Sequence, residues 1–340
     1  MHVRQGIRRA VLAAALALAG PAAAWSNQGH MVTGAIAHDR LAVLAPGVIA
    51  AVEQLMPAHP DWPKFAAALA PYAGAARQRR LFELMARWPD DARGGPYDRS
   101  ASHYWVRVLV SRADPVAVGP AVRRQVNGQA VEAFALHLAT LRDVYAPPAD
   151  RAMSLCWLIH LAGDIQQPLH TAQLVSGRFP QSDAGGAFGH VRLDPAPPST
   201  LHEYWDNIIG GDNDDDANVE AQRQRLAALL PLRALPEHDG RADARAFRRW
   251  ADESHLLAWR VAYDHGRFEA GVSAAAAVAI SPAYRTASLY WGQRRLALSG
   301  YRIADALRLA LPAVQVVPAG PAGPTGPIPR AAPSATSGSN

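Results

Sequence analysis

The chain of 340 residues carries a formal net charge of +5 with 19% charged side chains. These are spread without the basic stripe of duplex-binding proteins, so any nucleic-acid contact is expected to be local to a site. A single cysteine, Cys156, excludes intramolecular disulfides and, in an apolar helical stretch, reads as a small buried residue.

Residues 1–24 place Arg4, Arg8 and Arg9 before an apolar run, 10–19, and a small-residue end, Ala22-Ala23-Ala24. That is the pattern of a secretory signal peptide, with an apolar part too short to span a bilayer. Cleavage after Ala24 would make Trp25 the first residue of a soluble protein, periplasmic or secreted, with no membrane span. The body, 25–316, exceeds the usual single-domain length but suits one large helical domain. Its spacing predicts helices over 31–44, 130–145, 152–165, 217–230, 243–261 and 282–311. In the last, Leu289, Leu296 and Ile303 recur at i, i+7 steps and Leu307 follows one turn on, giving an apolar face. Alternating patterns are scarce; 103–110 and 187–193 are the strand candidates, expected to pair as a short β-hairpin. The fold class is therefore mainly α. The Pro/Gly-rich stretch 317–340 is expected to be a disordered tail.

Within this frame His160-Leu-Ala-Gly-Asp164 stands out. The i, i+4 spacing puts imidazole and carboxylate on one face of an apolar helix. A bare carboxylate there is costly unless a cation neutralises it. His170 follows, and His202-Glu-Tyr-Trp-Asp206 repeats the spacing. His30, Asp90 in the turn-like Trp88-Pro-Asp90-Asp-Ala-Arg93, and His103 add nitrogen and oxygen donors. Trp25 would add an α-amino group and a carbonyl once the leader is cut. Imidazole and carboxylate without thiolate suit zinc in a catalytic role, with donors enough for three ions. His38, His59, His137, His238, His255 and His265 have no partner at ligand spacing and are expected to be structural. Asp212-Asn-Asp-Asp-Asp216 lacks the glycine and distal glutamate of an EF-hand and is expected to cap the next helix.

Taken in order, Trp25, Gly29-His30, Trp88-Pro-Asp90, His103, His160-x3-Asp164-x5-His170, His202-x3-Asp206 and Gly300-Tyr-Arg-Ile-Ala304 resemble a known family. It is that of the secreted trinuclear-zinc nucleases and 3′-nucleotidases, the fungal single-strand nucleases and plant bifunctional nucleases. The resemblance covers residues 25–311 and implies a single phospholipase C/nuclease-type helical domain, acting as a monomer. It implies three Zn2+ ions: one on Asp90, His103 and His160, one on His30 and the amine and carbonyl of Trp25, the two bridged by Asp164. The third would be held by His170, His202 and Asp206. It further implies that Arg93 is the basic residue of the site and that Tyr104 is a ring stacking on a base.

The implied activity is hydrolysis of single-stranded DNA and RNA to 5′-phosphate products, with nucleotides as further substrates through 3′-nucleotidase action. Unstacking and unpairing a duplex base costs free energy, which favours single strands. Two departures bear on specificity. Gly185-Gly186-Ala187 stands where the family carries Gly-Gly-Asn, and Gly189-His190 and the proline-rich stretch 194–199 alter the same loop. The nearest rival is a zinc-dependent phospholipase C, although there the last pair ends in glutamate, whereas here it is His202-x3-Asp206. A second rival is a non-catalytic periplasmic zinc-binding protein, which would need neither Arg93 nor a stacking ring.

Overall fold

The computed structural model describes residues 25–120, 126–211 and 213–311; the expected leader, 1–24, and tail, 317–340, lie outside them. Ten α-helices dominate the described residues, as the periodicity implied. They are α1 (Asn27–Leu44), α2 (Pro46–Leu55), α3 (Trp62–Leu69), α4 (Gly74–Asp91), α5 (Ala130–Arg142), α6 (Pro148–Asp164), α7 (Leu201–Asp206), α8 (Asp216–Leu229), α9 (Ala244–Leu257) and α10 (Pro282–Ala310). None of the described helices is long and apolar enough to cross a membrane.

The central element is α6. Pro148 opens it with a preset φ, Asp150 suits the positive end of its dipole, and its C-terminal half is buried all round and apolar apart from Ser154, His160 and Asp164. A helix without a polar face belongs in the interior. The main core accordingly surrounds α6 with Phe82 and Met85 of α4, Phe134 of α5, Trp250 of α9 and Ile303 of α10. Helix α1 closes on two neighbours through glycines. A Cβ on Gly34 would strike the Phe82 carbonyl, and one on Gly300 would meet Ile36. These contacts bring His30 on α1 and Asp90 on α4 to the end of α6.

Three stretches differ from the sequence reading. Asp90 sits in the last turn of α4 rather than in a free turn. Leu81, Phe82, Met85 and Ala86 keep helical spacing into the core, and Pro89 removes only one N–H near the helix end. The strand candidates do not form a hairpin with each other. β1 (Val106–Val110) pairs antiparallel with β2 (Val126–Asn127) and parallel with β3 (Ala172–Val175). β4 (His190–Arg192) pairs antiparallel with β5 (Ser199–Thr200) and parallel with β6 (Val278–Ala279). Each strand is captured by chain adjoining the centre: Trp105 N–H donates to the His170 carbonyl and Leu201 N–H to the Gly189 carbonyl. Finally, α9 ends at Leu257 and continues as a π turn, 258–262. The acidic loop does cap α8, through Asp215 accepting from Asn218 N–H; Asp212 lies outside the described residues.

Candidate metal centre

Four helices and two tight turns deliver the site. α1 carries His30, α4 Asp90, α6 His160 and Asp164, and α7 His202 and Asp206. The 3-10 turn Pro168–His170 carries His170, and a second one, Ser100–His103, carries His103. All eight side chains are buried or nearly so. They form three groups whose donor atoms lie within 4.8 Å of one another: His30, Asp90 and His160; His103, His160 and Asp164; and His170, His202 and Asp206.

Asp164 divides its two oxygens between the first two groups. Oδ1 lies 3.2 Å from His30 Nε2, while Oδ2 lies 2.9 Å from His103 Nδ1 and 3.0 Å from His160 Nε2. Asp90 does the same at longer range, with Oδ2 3.5 Å from His30 Nε2 and Oδ1 3.7 Å from His160 Nε2. It therefore faces both halves, whereas the family resemblance assigned it to one. Its neighbour Asp91 turns to Arg87 at the surface. In the third group His202 Nε2 stands 3.6 Å from Asp206 Oδ2, and the His170 and His202 rings are 5.2 Å apart.

Backbone carbonyls orient three of the imidazoles. His160 Nδ1 donates to Ala86 O at 2.8 Å, His170 Nδ1 to His103 O at 2.9 Å, and His202 Nδ1 to Gly185 O at 2.7 Å. With the proton fixed on Nδ1, the Nε2 lone pair is left for the group. The Gly185 carbonyl is held by a turn that only glycine adopts readily, with φ of 65° at Gly185 and 84° at Gly186.

His30 Nε2, Asp164 Oδ1, His170 Nε2 and Asp206 Oδ2 are buried without a hydrogen-bond partner. Such atoms are rare because each one left unpaired costs about 1–3 kcal/mol. Converging lone pairs of imidazole and carboxylate fit divalent cations of the zinc type. The electrostatics agree with that fit at His30, His103 and His170, whereas at His160 burial is outweighed by the Asp164 and Asp90 carboxylates, which raise its pKa. Burial, with His160 beside it, holds the His30 imidazole below its ordinary pKa. Burial also lowers His103 against the pull of Asp164, and brings His170 down to about 3. Neutral imidazoles are the form that coordinates. Burial opposes the Asp164 carboxylate, but His160 and the hydrogen bonds from the surrounding histidines carry its carboxyl well below the usual range. Burial instead pushes Asp206 well up, despite a hydrogen bond from Gln167.

The remaining expected residues fall around these groups. Trp25 is fully buried, its indole Nε1 donating to Gly163 O at 3.0 Å, one residue before Asp164. Ser26 N–H donates to Asp206 O at 3.1 Å. Arg93 is paired with Asp90, Nη2 and Nε reaching Oδ1 at 2.6 and 2.9 Å. Tyr104 is half-buried, its ring tilted on His170 at 4.6 Å, so it packs against the third group. The six histidines set aside as structural join none of the groups. His38 pairs with Asp39, His137 stacks on Trp157 and His238 pairs with Asp305. His59 caps Asp61 N–H and His255 donates to Thr171 O. Sequence reading missed Gln167 and Asp183. Gln167 Nε2 donates to Asp206 Oδ1 at 2.7 Å, and Asp183 Oδ1 accepts from Gly185 N–H at 3.1 Å. Their only signal was position, Gln167 between Asp164 and His170, Asp183 just before the Gly-Gly turn.

A family model described as S1/P1 Nuclease matches residues 25–312. No curated protein matches the chain.

Proposed function

This chain belongs to the S1/P1 nuclease family, and from that premise we propose a secreted, zinc-dependent endonuclease that cuts single-stranded DNA and RNA and leaves 5′-phosphates. The observation that carries the reading is Asp164 dividing its oxygens between two buried histidine groups, with a third group behind them. Three Zn2+ ions suit these donors. Asp90, His103 and His160 would hold one, His30 with the amine and carbonyl of Trp25 a second, and His170, His202 and Asp206 a third. Asp164 would be shared by the first two. Residues 25–316 would form one domain, released as a periplasmic or secreted monomer by cleavage after Ala24.

Zinc supplies Lewis-acid polarisation of the phosphodiester and of attacking water near neutral pH. The chain's own residues do the rest. His160, His170 and His202 present fixed lone pairs because carbonyls hold their other nitrogens, so no reorganisation is needed as charge develops. Arg93, mostly buried against Asp90, would meet the non-bridging phosphate oxygens. Tyr104 would offer a base one face of its ring, a contact worth about 1–3 kcal/mol and indifferent to sequence. Alanine stands at 187 in place of the family asparagine, and 3′-nucleotidase action would accompany the nuclease.

The test is zinc analysis of protein beginning at Trp25, alongside assays on single-stranded DNA, duplex DNA and phosphatidylcholine. Three zinc ions with preferential cutting of single strands is the expected result. Cleavage of lipid alone would overturn the nuclease reading. Three ions without phosphodiesterase activity between about pH 5 and 8, where zinc-activated water ionises, would mark a zinc-binding protein instead.

A further inference from the structure

The third group shares no residue with the other two, and the two oxygens of its carboxylate, Asp206, are used differently. Oδ1 accepts from Gln167 Nε2 at 2.7 Å, while Oδ2 has no hydrogen-bond partner and stands 3.6 Å from His202 Nε2. Gln167 is itself fully buried. Its other amide end, Oε1, accepts from Leu169 N–H and so caps the turn Pro168–His170. Because a backbone N–H can only donate, the carbonyl end of the amide must face Leu169 and the NH2 end must face Asp206. One side chain thus fixes the turn bearing His170 and one oxygen of Asp206, two of the three donors of this group. Gln166, next to it and equally buried, accepts from Arg302 on α10 instead.

We propose that Gln167 is the positioning residue of the third metal group, tying up Asp206 Oδ1 so that Oδ2 alone is offered to the ion while the same amide sets the turn that presents His170. The proposal rests on the zinc reading of the site. It assigns Gln167 no contact with substrate. Its loss loosens one ion and leaves the Asp164-centred pair alone, since the side-chain hydrogen bonds of Gln167 go to Asp206 and Leu169, and its one bond to Asp164, backbone N–H to carbonyl, survives substitution.

The experiment is a calorimetric zinc titration of the metal-stripped protein beginning at Trp25, for wild type, Gln167→Met and Gln167→Asn. Methionine keeps length and removes both hydrogen bonds. Asparagine can still cap the turn but is too short to reach Asp206, which separates the two contacts. Wild type is expected to take up three ions. Both variants should bind two with unchanged affinity and the third about 10–100-fold more weakly, the usual cost of losing a ligand's supporting partner. Thermal unfolding of the metal-free Gln167→Asn protein should stay near wild type. Third-ion affinity within threefold of wild type in both variants overturns the proposal. So does equal weakening of all three ions, which would make Gln167 a residue of the fold. A wild type that takes up no third ion refutes the metal reading itself, and the assignment with it.

Discussion

The two halves of the metal centre hold their carboxylates in opposite ways. Asp164 lies among His30, His103 and His160, with Asp90 and Arg93 close by, and its carboxyl is carried far down despite complete burial. Asp206 has one amide hydrogen bond for support, and burial carries its carboxyl far up. A charge in low dielectric persists only when partners compensate its desolvation. Asp164 is therefore prepared as an anion by the protein, whereas Asp206, whose burial is poorly compensated, depends more on a cation beside it. The lesson is that the first half can be pre-ordered and the third ion should be the one most easily lost.

Removing the shared ligand strikes that difference hardest. Asp164→Asn is expected to eliminate both ions of the bridged pair and lower the rate on single-stranded DNA on the order of 10³-fold, with the third ion retained. Zinc counts and initial rates check this. A variant that keeps three ions would show that Asp164 is not shared.

A smaller loss should follow from one residue retained before Trp25. Acylation turns the amine into an amide without a lone pair to give. The expected product binds one ion fewer and loses activity on the order of 10²-fold, with His103 and His160 still occupied. Full zinc and full activity in a Met-extended protein would remove Trp25 from the site.

Asp206→Asn should do least to the bridged pair. The third ion alone is expected to weaken, by about 10–100-fold, and to leave first as a chelator is titrated into the wild type. If the chelator strips the bridged pair first, the contrast drawn between the two carboxylates is wrong.

How much of this could be read from the sequence follows the same division. His160 with Asp164, and His202 with Asp206, were legible because each pair shares one helix and i, i+4 spacing survives any tertiary arrangement. Their grouping with His30, His103 and Asp90 came from family resemblance, because contacts between helices leave no periodic trace. Asp90 was expected in a turn since Pro89 reads as a helix breaker, yet the core contacts of Phe82 and Met85 carry α4 past it. The strand candidates were found and their partners were not, because β1 and β4 are matched to segments adjoining the metal centre rather than to each other. Gln167 stayed invisible because a glutamine carries no ligand signature; only the placement of Leu169 and Asp206 gives it a role.

The mildest expected effect concerns Asp183, which supports the third group through Gly185 and so through His202. Burial raises its carboxyl to about 6, against hydrogen bonds from Leu174 N–H and the Tyr263 hydroxyl. The folded protein then keeps a proton that the unfolded chain releases near 3.8. This contribution to stability is complete below that value and is lost as pH rises through about 6. A shift of that size corresponds to about 3 kcal/mol at most. Asparagine at 183 keeps an acceptor for Leu174 and Gly185 and cannot ionise. In denaturant titrations of the zinc-free protein, Asp183→Asn should match wild type at low pH and exceed it by up to about 3 kcal/mol near pH 7. Identical pH slopes for the two proteins would mean that Asp183 is already ionised when folded, and that the Gly185 turn bearing on His202 is held by a charge.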